Sequence, residues 1–188
     1  MPYDFVLADD EKHELLRIAR ATLKEFLTSG RTPPGAPHRK SLTAPAAVFV
    51  SLHAGDSLRG CIGTIAEDAP LYKAVQQMAV AAATRDPRFQ PVSLKELSLL
   101  TVEVSVLGER CPLSSPEQIE IGKHGLILTA FGRRGLLLPQ VAVEHGWSPL
   151  VFLEKTCEKA GLPEASWQDP NAVVEVFSAQ VFSESSSR

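Results

Sequence analysis

No stretch of this sequence approaches the roughly 20 consecutive apolar residues that a bilayer-spanning helix needs. The opening segment, "MPYDFVLADDEKHE", lacks the basic and apolar regions of a secretory signal. There is no excess of positive charge. Lys and Arg number 19 against 22 Asp and Glu, a formal net charge of −3, so the phosphate neutralisation behind general nucleic-acid binding is not expected. Cysteine is scarce and odd in number: Cys61, Cys111 and Cys157 are far apart, with no C-x-x-C pair. They read as reduced thiols of a cytoplasmic protein with no disulfide frame. Metal and cofactor signals are missing too. The five histidines are scattered, "HELLR" has Arg17 where a zinc helix would place its second His, and neither G-x-G-x-x-G nor a P-loop occurs. No metal, no cofactor and no membrane is the expectation.

What is present is an ordinary globular composition, 44% hydrophobic and 22% charged over 188 residues, enough for one domain with two lobes. Asp9–Gly30 predicts a helix: Leu15, Leu16, Ala19, Leu23, Phe26 and Leu27 recur at helical spacing, acids fill the first turn, and Gly30 can end it. The four prolines of "RTPPGAPHRKSLTAP" predict a long irregular connection. Thereafter one pattern occurs twice. "AAVFVSLHAGDSLRGCIGT" is strand, Gly-Asp turn, strand, followed by the helix "PLYKAVQQMAVAAATRD" and the strand "LTVEVSVL". "GLILTAFGRRGLLLPQVA" is again a hairpin, with exposed charge in its "GRRG" turn, followed by the helix "SPLVFLEKTCEKAG" and the strand "AVVEVFSAQVF". Val-Glu-Val recurs at 102–104 and 174–176, which suggests an internal β-β-α-β duplication with Leu58–Thr64 and Leu136–Val141 as equivalent second strands. The expected class is α+β, two-lobed, with a mainly antiparallel sheet and packed helices, covering residues 1–182 and leaving 183–188 as a frayed tail.

"LRGCIGT", Leu58–Thr64, is an odd strand, since glycine within a strand marks a bulge or a close approach. Alternation puts Leu58, Gly60, Ile62 and Thr64 on one face, with Leu58 and Ile62 on the core side. Arg59, Cys61 and Gly63 share the other face, with Arg59 and Cys61 Cα atoms about 6.5–7 Å apart. A guanidinium at that distance favours the thiolate, the form a nucleophile needs. Gly60 and Gly63 would leave the sulfur uncrowded. Against this stands the ordinary behaviour of a free cysteine as a small buried hydrophobe. Cys111, before a proline in a loop, and Cys157, on the apolar stripe of a helix, read as structural. His53, across an even-length turn, is expected to face away from Cys61, so no triad is assigned.

"LRGCIGT" resembles the hallmark hexapeptide of the AMMECR domain family, known in prokaryotes as AmmeMemoRadiSam system protein A. "AVAAATRDPRFQPVSLKEL", "VEVSVL", "GKHGLIL", "LLLPQVAVEHGW" and "FLEKTCEKAGLP" are similar to the family's later segments, in the same order, from about Leu15 to Phe182. The resemblance implies a two-lobed α+β fold with the hexapeptide near a cleft between lobes. It also implies Memo-like and radical-SAM proteins as partners, and it supplies no reaction. By position it selects Arg59, Gly60, Cys61, Gly63 and Thr64, then Arg85, Asp86, Arg88 and Phe89 in the turn after the first repeated helix, His124 in "GKHGL", and Gln140 and Trp147. The bland account of the turn is that Arg85 complements the helix end, Pro87 stops the helix and Phe89 re-enters the core. A lone His between glycines is more often structural than a base, and Trp147 reads most simply as a core or lobe-interface aromatic.

Three functions compete. The first is a thiol-dependent enzyme component with Cys61 as nucleophile and Arg59 holding an anion; Gly60, Gly63, Thr64, Arg85, Asp86, Arg88 and His124 would bind substrate. The second is a binding module for a peptide or small acidic ligand, in which Cys61 packs. The third, a nucleic-acid contact through Arg85, Arg88, Arg133 and Arg134, is the weakest because of the net charge.

Overall fold

The computed structural model describes residues 6–35 and 37–184. Helix α1 spans Asp9–Ser29, with Asp9, Asp10 and Glu11 in its first turn and Gly30 closing it at φ 75°, where its N–H donates to the Phe26 carbonyl. The proline-rich connection that follows contains a short 3-10 turn, Lys40–Thr43. Strands β1 (Val48–Ala54) and β2 (Ser57–Thr64) then form an antiparallel hairpin turned by Gly55, whose φ of 59° suits a residue without Cβ. Helix α2 (Leu71–Thr84), the one-turn helix α3 (Leu94–Leu97) and strand β3 (Leu100–Pro112) complete the first half. The second half runs β4 (His124–Ala130), β5 (Arg133–Leu137), α4 (Pro139–Glu144), α5 (Pro149–Lys159) and β6 (Val173–Ser183). The sheet has six strands in the order β2-β1-β3-β6-β4-β5, and β1–β2, β1–β3, β4–β5 and β4–β6 pair antiparallel. The fold is therefore α+β, as the sequence pattern indicates.

The described residues divide into two compact units, 108–179 and 6–107 with 180–184. In the latter, Val48, Val50 and Leu52 of β1 and Val102, Val104 and Val106 of β3 turn one sheet face against Leu15, Ala19 and Leu23 of α1 and Val75, Ala79 and Ala82 of α2, all essentially inaccessible to water. In the other unit Leu126, Ala142, Phe152 and Leu153 make a smaller core with Trp147 against it. Trp147 is half-buried and packs on this core from outside, with its ring 4.7 Å from His145 and 6.4 Å from Phe152.

Three sequence expectations need correction. Leu136–Val141 is not one strand: β5 ends at Leu137, and Pro139, a residue suited to a helix's first turn, begins α4. The two units share the order hairpin, helix, strand, yet their second strands are not equivalent over that stretch, and a recurring order is not in itself a duplication. Cys111 lies within β3 and not in a loop. Of the expected tail, Ser183 still belongs to β6 and Glu184 accepts hydrogen bonds from Arg20 Nε and the Val102 N–H, each at 2.8 Å; residues 185–188 lie outside the described residues.

Candidate functional site around Cys61

The register of the hairpin explains "LRGCIGT". Ile62 pairs with Val50, Cys61 with Ser51 and Gly60 with Leu52, but His53 pairs with Leu58. Arg59 is therefore the extra residue of a β-bulge, a device that re-aims side chains and breaks the two-residue alternation. Ile62 packs on the core as expected. Leu58 does not: beyond the bulge it changes face and is 37% exposed. The same shift overturns the expectation for His53, because Ser51 and His53, two apart on β1, share the face on which Cys61 sits.

The glycines clear space for the protein itself. A Cβ on Gly60 would drive into the carbonyl oxygen of Ala82 in α2, and one on Gly63 into the ring of Phe49. Neither opens a path to the sulfur. Thr64 accepts from the Ala66 N–H through its Oγ1, a local turn contact.

Arg59 does not serve Cys61. The bulge sends its guanidinium to Glu96 of α3, to which Nε donates at 2.6 Å and Nη2 at 3.2 Å, with Cζ 5.9 Å from the centre of the Phe89 ring. Phe89 is approached by a second guanidinium, Arg88 Cζ at 5.4 Å. The anion-holding role assigned to Arg59 thus meets a side chain already forked onto a carboxylate.

Beside Cys61 stand four other groups. Ser51 Oγ donates to Sγ at 3.2 Å. Arg88, Asp86 and Glu103 act on the thiol through their charges. Burial is the largest influence and pushes the Cys61 thiol up from its ordinary pKa; the Ser51 hydrogen bond and Arg88 pull it down, while Asp86 and Glu103 push it further up. The balance is a neutral thiol, opposite in sign to the expectation built on Arg59. Cys157, fully buried in α5, is also raised by burial.

Asp86 is a buried carboxylate, its side chain 2% exposed. It accepts from the Cys61 N–H at 2.9 Å, the Arg88 N–H at 3.1 Å, Arg88 Nε at 3.0 Å and Arg88 Nη2 at 2.7 Å. Burying an ion costs several kcal/mol, and hydrogen bonds to a charged group return about 1.5–3 kcal/mol each. Four of them win, with those from Arg88 foremost, and hold the Asp86 carboxyl well below the usual carboxylate range. Arg88, raised in turn by Asp86, also points Nη2 at the Cys61 carbonyl, 3.5 Å away. Arg85 is the exposed C-cap of α2. His124 belongs to the other unit, where its Nδ1 accepts from the Glu120 N–H at 3.1 Å. Of the residues singled out from sequence, the structure thus brings Cys61, Asp86 and Arg88 into one contact set and puts Arg59 with Glu96 and Phe89.

Sequence reasoning missed the polar face of the sheet. Opposite the core, β1 presents Phe49, Ser51 and His53, and β3 presents Thr101, Glu103 and Ser105 in register with them. Their signal was the polar alternate residues inside "VSLH" and "VEVSV". His53 Nε2 lies 3.8 Å from Glu103 Oε1. His53 Nε2 and Ser105 Oγ are shielded from solvent and have no hydrogen-bond partner. A cavity of about 280 Å³ is lined by His53, Gly55, Asp56, Thr101, Glu103 and Ser183. No cluster among the described residues could hold a metal ion, and no helix among them is long and apolar enough to cross a membrane. Two of the arginines considered for nucleic acid are engaged locally: Arg133 donates to the Gly161 carbonyl and Arg134 Nε to Thr129 Oγ1 at 3.1 Å.

The α+β domain as a whole, in sequence and in fold, is similar to known proteins. The family model AMMECR1 matches residues 16–182, and the chain belongs to that family. It is 42% identical to protein MK0488 of Methanopyrus kandleri, over 93% of this chain and 89% of that one. A protein of Aeropyrum pernix is also 42% identical, over 97% of this chain and 82% of its own. The crystal structure of the uncharacterized protein PH0010 from Pyrococcus horikoshii is similar with a TM-score of 0.87 and 40% identity, covering 90% of this chain and 89% of that one.

Proposed function

We propose that this AMMECR1-family chain is a binding component whose small polar ligand lies on the sheet face of Ser51, His53, Cys61, Glu103 and Ser105, with Cys61 as a neutral wall thiol. One observation carries the reading. On that face two polar atoms, His53 Nε2 and Ser105 Oγ, are buried with no hydrogen-bond partner, a condition that native proteins rarely leave without a ligand or water. The cavity lined by His53, Thr101 and Glu103 gives a ligand room beside His53, at one end of that face. Because Arg59 is committed to Glu96, the ligand is polar and not specifically acidic. The component works in the cytoplasm, where its three cysteines stay reduced, beside Memo-like and radical-SAM proteins and without nucleic acid.

A second reading has its own support. Ser51 and Arg88 both favour the thiolate, so a ligand that brought a positive charge against Glu103 and the sulfur would move Cys61 towards the nucleophile of an enzyme component. Mass spectrometry of protein purified from its native host separates the two. A small molecule carried in the native spectrum and lost on denaturation, with Cys61 unmodified, supports the binding component. A covalent adduct that survives denaturation and maps to Cys61 overturns it in favour of the enzyme.

A further inference from the structure

Strand β2 is the outer strand of its sheet end. At Cys61 its N–H and carbonyl point away from β1, where a further strand would exchange two hydrogen bonds with them. No strand is there. The acceptor is the Asp86 carboxylate, at 2.9 Å from the Cys61 nitrogen, and the donor is Arg88 Nη2, directed at the Cys61 oxygen. The two side chains are locked to each other by paired contacts from Nε and Nη2, and the Arg88 N–H closes an Asx turn on Asp86 Oδ1.

We propose that Asp86 and Arg88 are positioning residues: as a side-chain surrogate for a missing outer strand, they fix the backbone of Cys61 and so the thiol above Ser51. This deepens the proposed function and rests on Cys61 belonging to the working face, although the clamp itself needs no ligand to be detected. It also changes what the Asp-Pro-Arg-Phe turn is for. Asp86 is spent on Cys61 and Arg88 and is not offered to a substrate, while Pro87 holds the turn that brings the two side chains to the same residue. Edge protection alone would explain a charge somewhere along β2. It does not explain an acceptor and a donor matched to the two backbone groups of the one cysteine.

Two readouts test this, both on the full-length protein without ligand. In amide hydrogen exchange by NMR, Asp86→Ala should cost the Cys61 amide at least about tenfold in protection, the loss of one good hydrogen bond, while Val50 and Val104 keep theirs. Asp86→Asn, whose amide oxygen still accepts, should restore part of it. The second readout is the pH profile of Cys61 alkylation by iodoacetamide. The charged groups facing the sulfur are Asp86 and Arg88 from the turn and Glu103 from β3, and Glu103 is common to all variants. Asp86→Asn removes a negative charge and should move the profile to lower pH. Arg88→Gln removes the positive one and should move it to higher pH. Each change should alter the rate near neutral pH by at least about threefold, half a pKa unit. A turn with a merely structural role would loosen in both variants and move both profiles the same way. Profiles moving together, or Cys61 protection unchanged in Asp86→Ala, would overturn the clamp. Should Asp86→Ala not fold, the opposed shifts of the other two variants decide alone. Absence of any bound ligand would refute the proposed function and leave these results standing.

Discussion

Replacing Gly60 by alanine puts the close approach of β2 and α2 to its hardest test. The added Cβ would meet the Ala82 carbonyl oxygen and carbon, both backbone atoms of a helix, so no side chain can rotate out of the way. Overpacking a well-filled core costs about 1–3 kcal/mol, and an obstacle that cannot yield belongs at the upper end, about 3 kcal/mol. For a chain of this length each kcal/mol lowers the melting temperature by about 2–4 °C, so Gly60→Ala should melt about 6–12 °C below the parent. Two internal comparisons sharpen the test. Gly63→Ala meets the Phe49 ring, which can swing, and should cost about 1–2 kcal/mol. Gly55→Ala meets nothing within 4 Å, but its φ of +59° makes any Cβ unfavourable by about 1 kcal/mol. Urea unfolding followed by far-UV circular dichroism gives all three as midpoint shifts. A Gly60→Ala protein within about 0.5 kcal/mol of the parent would refute the claim that Gly60 exists to admit the helix.

Arg59→Ala should lower stability by about 1–2 kcal/mol through loss of the Glu96 fork and the Phe89 contact, while the pH profile of Cys61 alkylation stays in place; a profile displaced to higher pH would return Arg59 to the thiol. Near neutral pH Cys61 should alkylate more slowly than Cys111, and Cys157, with no exposure, slowest of the three; Cys61 as the fastest site would contradict a burial-raised thiol. The carboxyl of Asp86 is depressed in the folded state, so its stabilisation is complete above the unfolded value of about 3.9 and is lost as pH falls through the lower folded value. Arg88→Gln removes the main cause of that depression and should shift acid unfolding to higher pH; an unchanged acid midpoint would show that the pair contributes nothing. Ser105→Ala removes a buried hydroxyl that has no partner and should be neutral or stabilising by up to about 1 kcal/mol; a clear loss of stability would reveal a hydrogen bond there.

The fold was legible where one periodicity held without interruption. The helical spacing from Leu15 to Leu27, closed by Gly30, and the alternation of Val102, Val104 and Val106 each fix an element and its buried face with no tertiary knowledge. Pro139 shows where such reading fails. "LLLPQVA" is apolar enough for a strand, and only a proline at a helix's first turn separates the two interpretations, a signal that Pro149 supplies equally for α5.

Of the candidate site, the sequence pointed to Cys61, Asp86 and Arg88 but not to the polar face of Ser51, His53, Glu103 and Ser105 or to the geometry, and a single bulge accounts for much of the difference. Strict alternation put Arg59 beside Cys61 and His53 away from it. One unpaired residue between Leu58 and Gly60 reverses both, sending Arg59 to Glu96 and bringing His53 onto the face of Ser51 and Cys61. Two glycines in a strand pattern are a sign of such a bulge, yet they cannot say which residue is left unpaired. That depends on how closely α2 approaches β2, which a Cβ at position 60 would forbid. The electrostatics follow from the same step. Once Arg59 is withdrawn, the cation that acts on the thiol is Arg88, and Arg88 arrives bound to the carboxylate of Asp86, so its pull on the sulfur is opposed at the source and burial prevails. A cysteine whose sequence neighbours promise a thiolate is thereby left a neutral thiol by its burial, and the charged pair that acts on it from opposite sides of the balance lies 25 and 27 residues further along the chain.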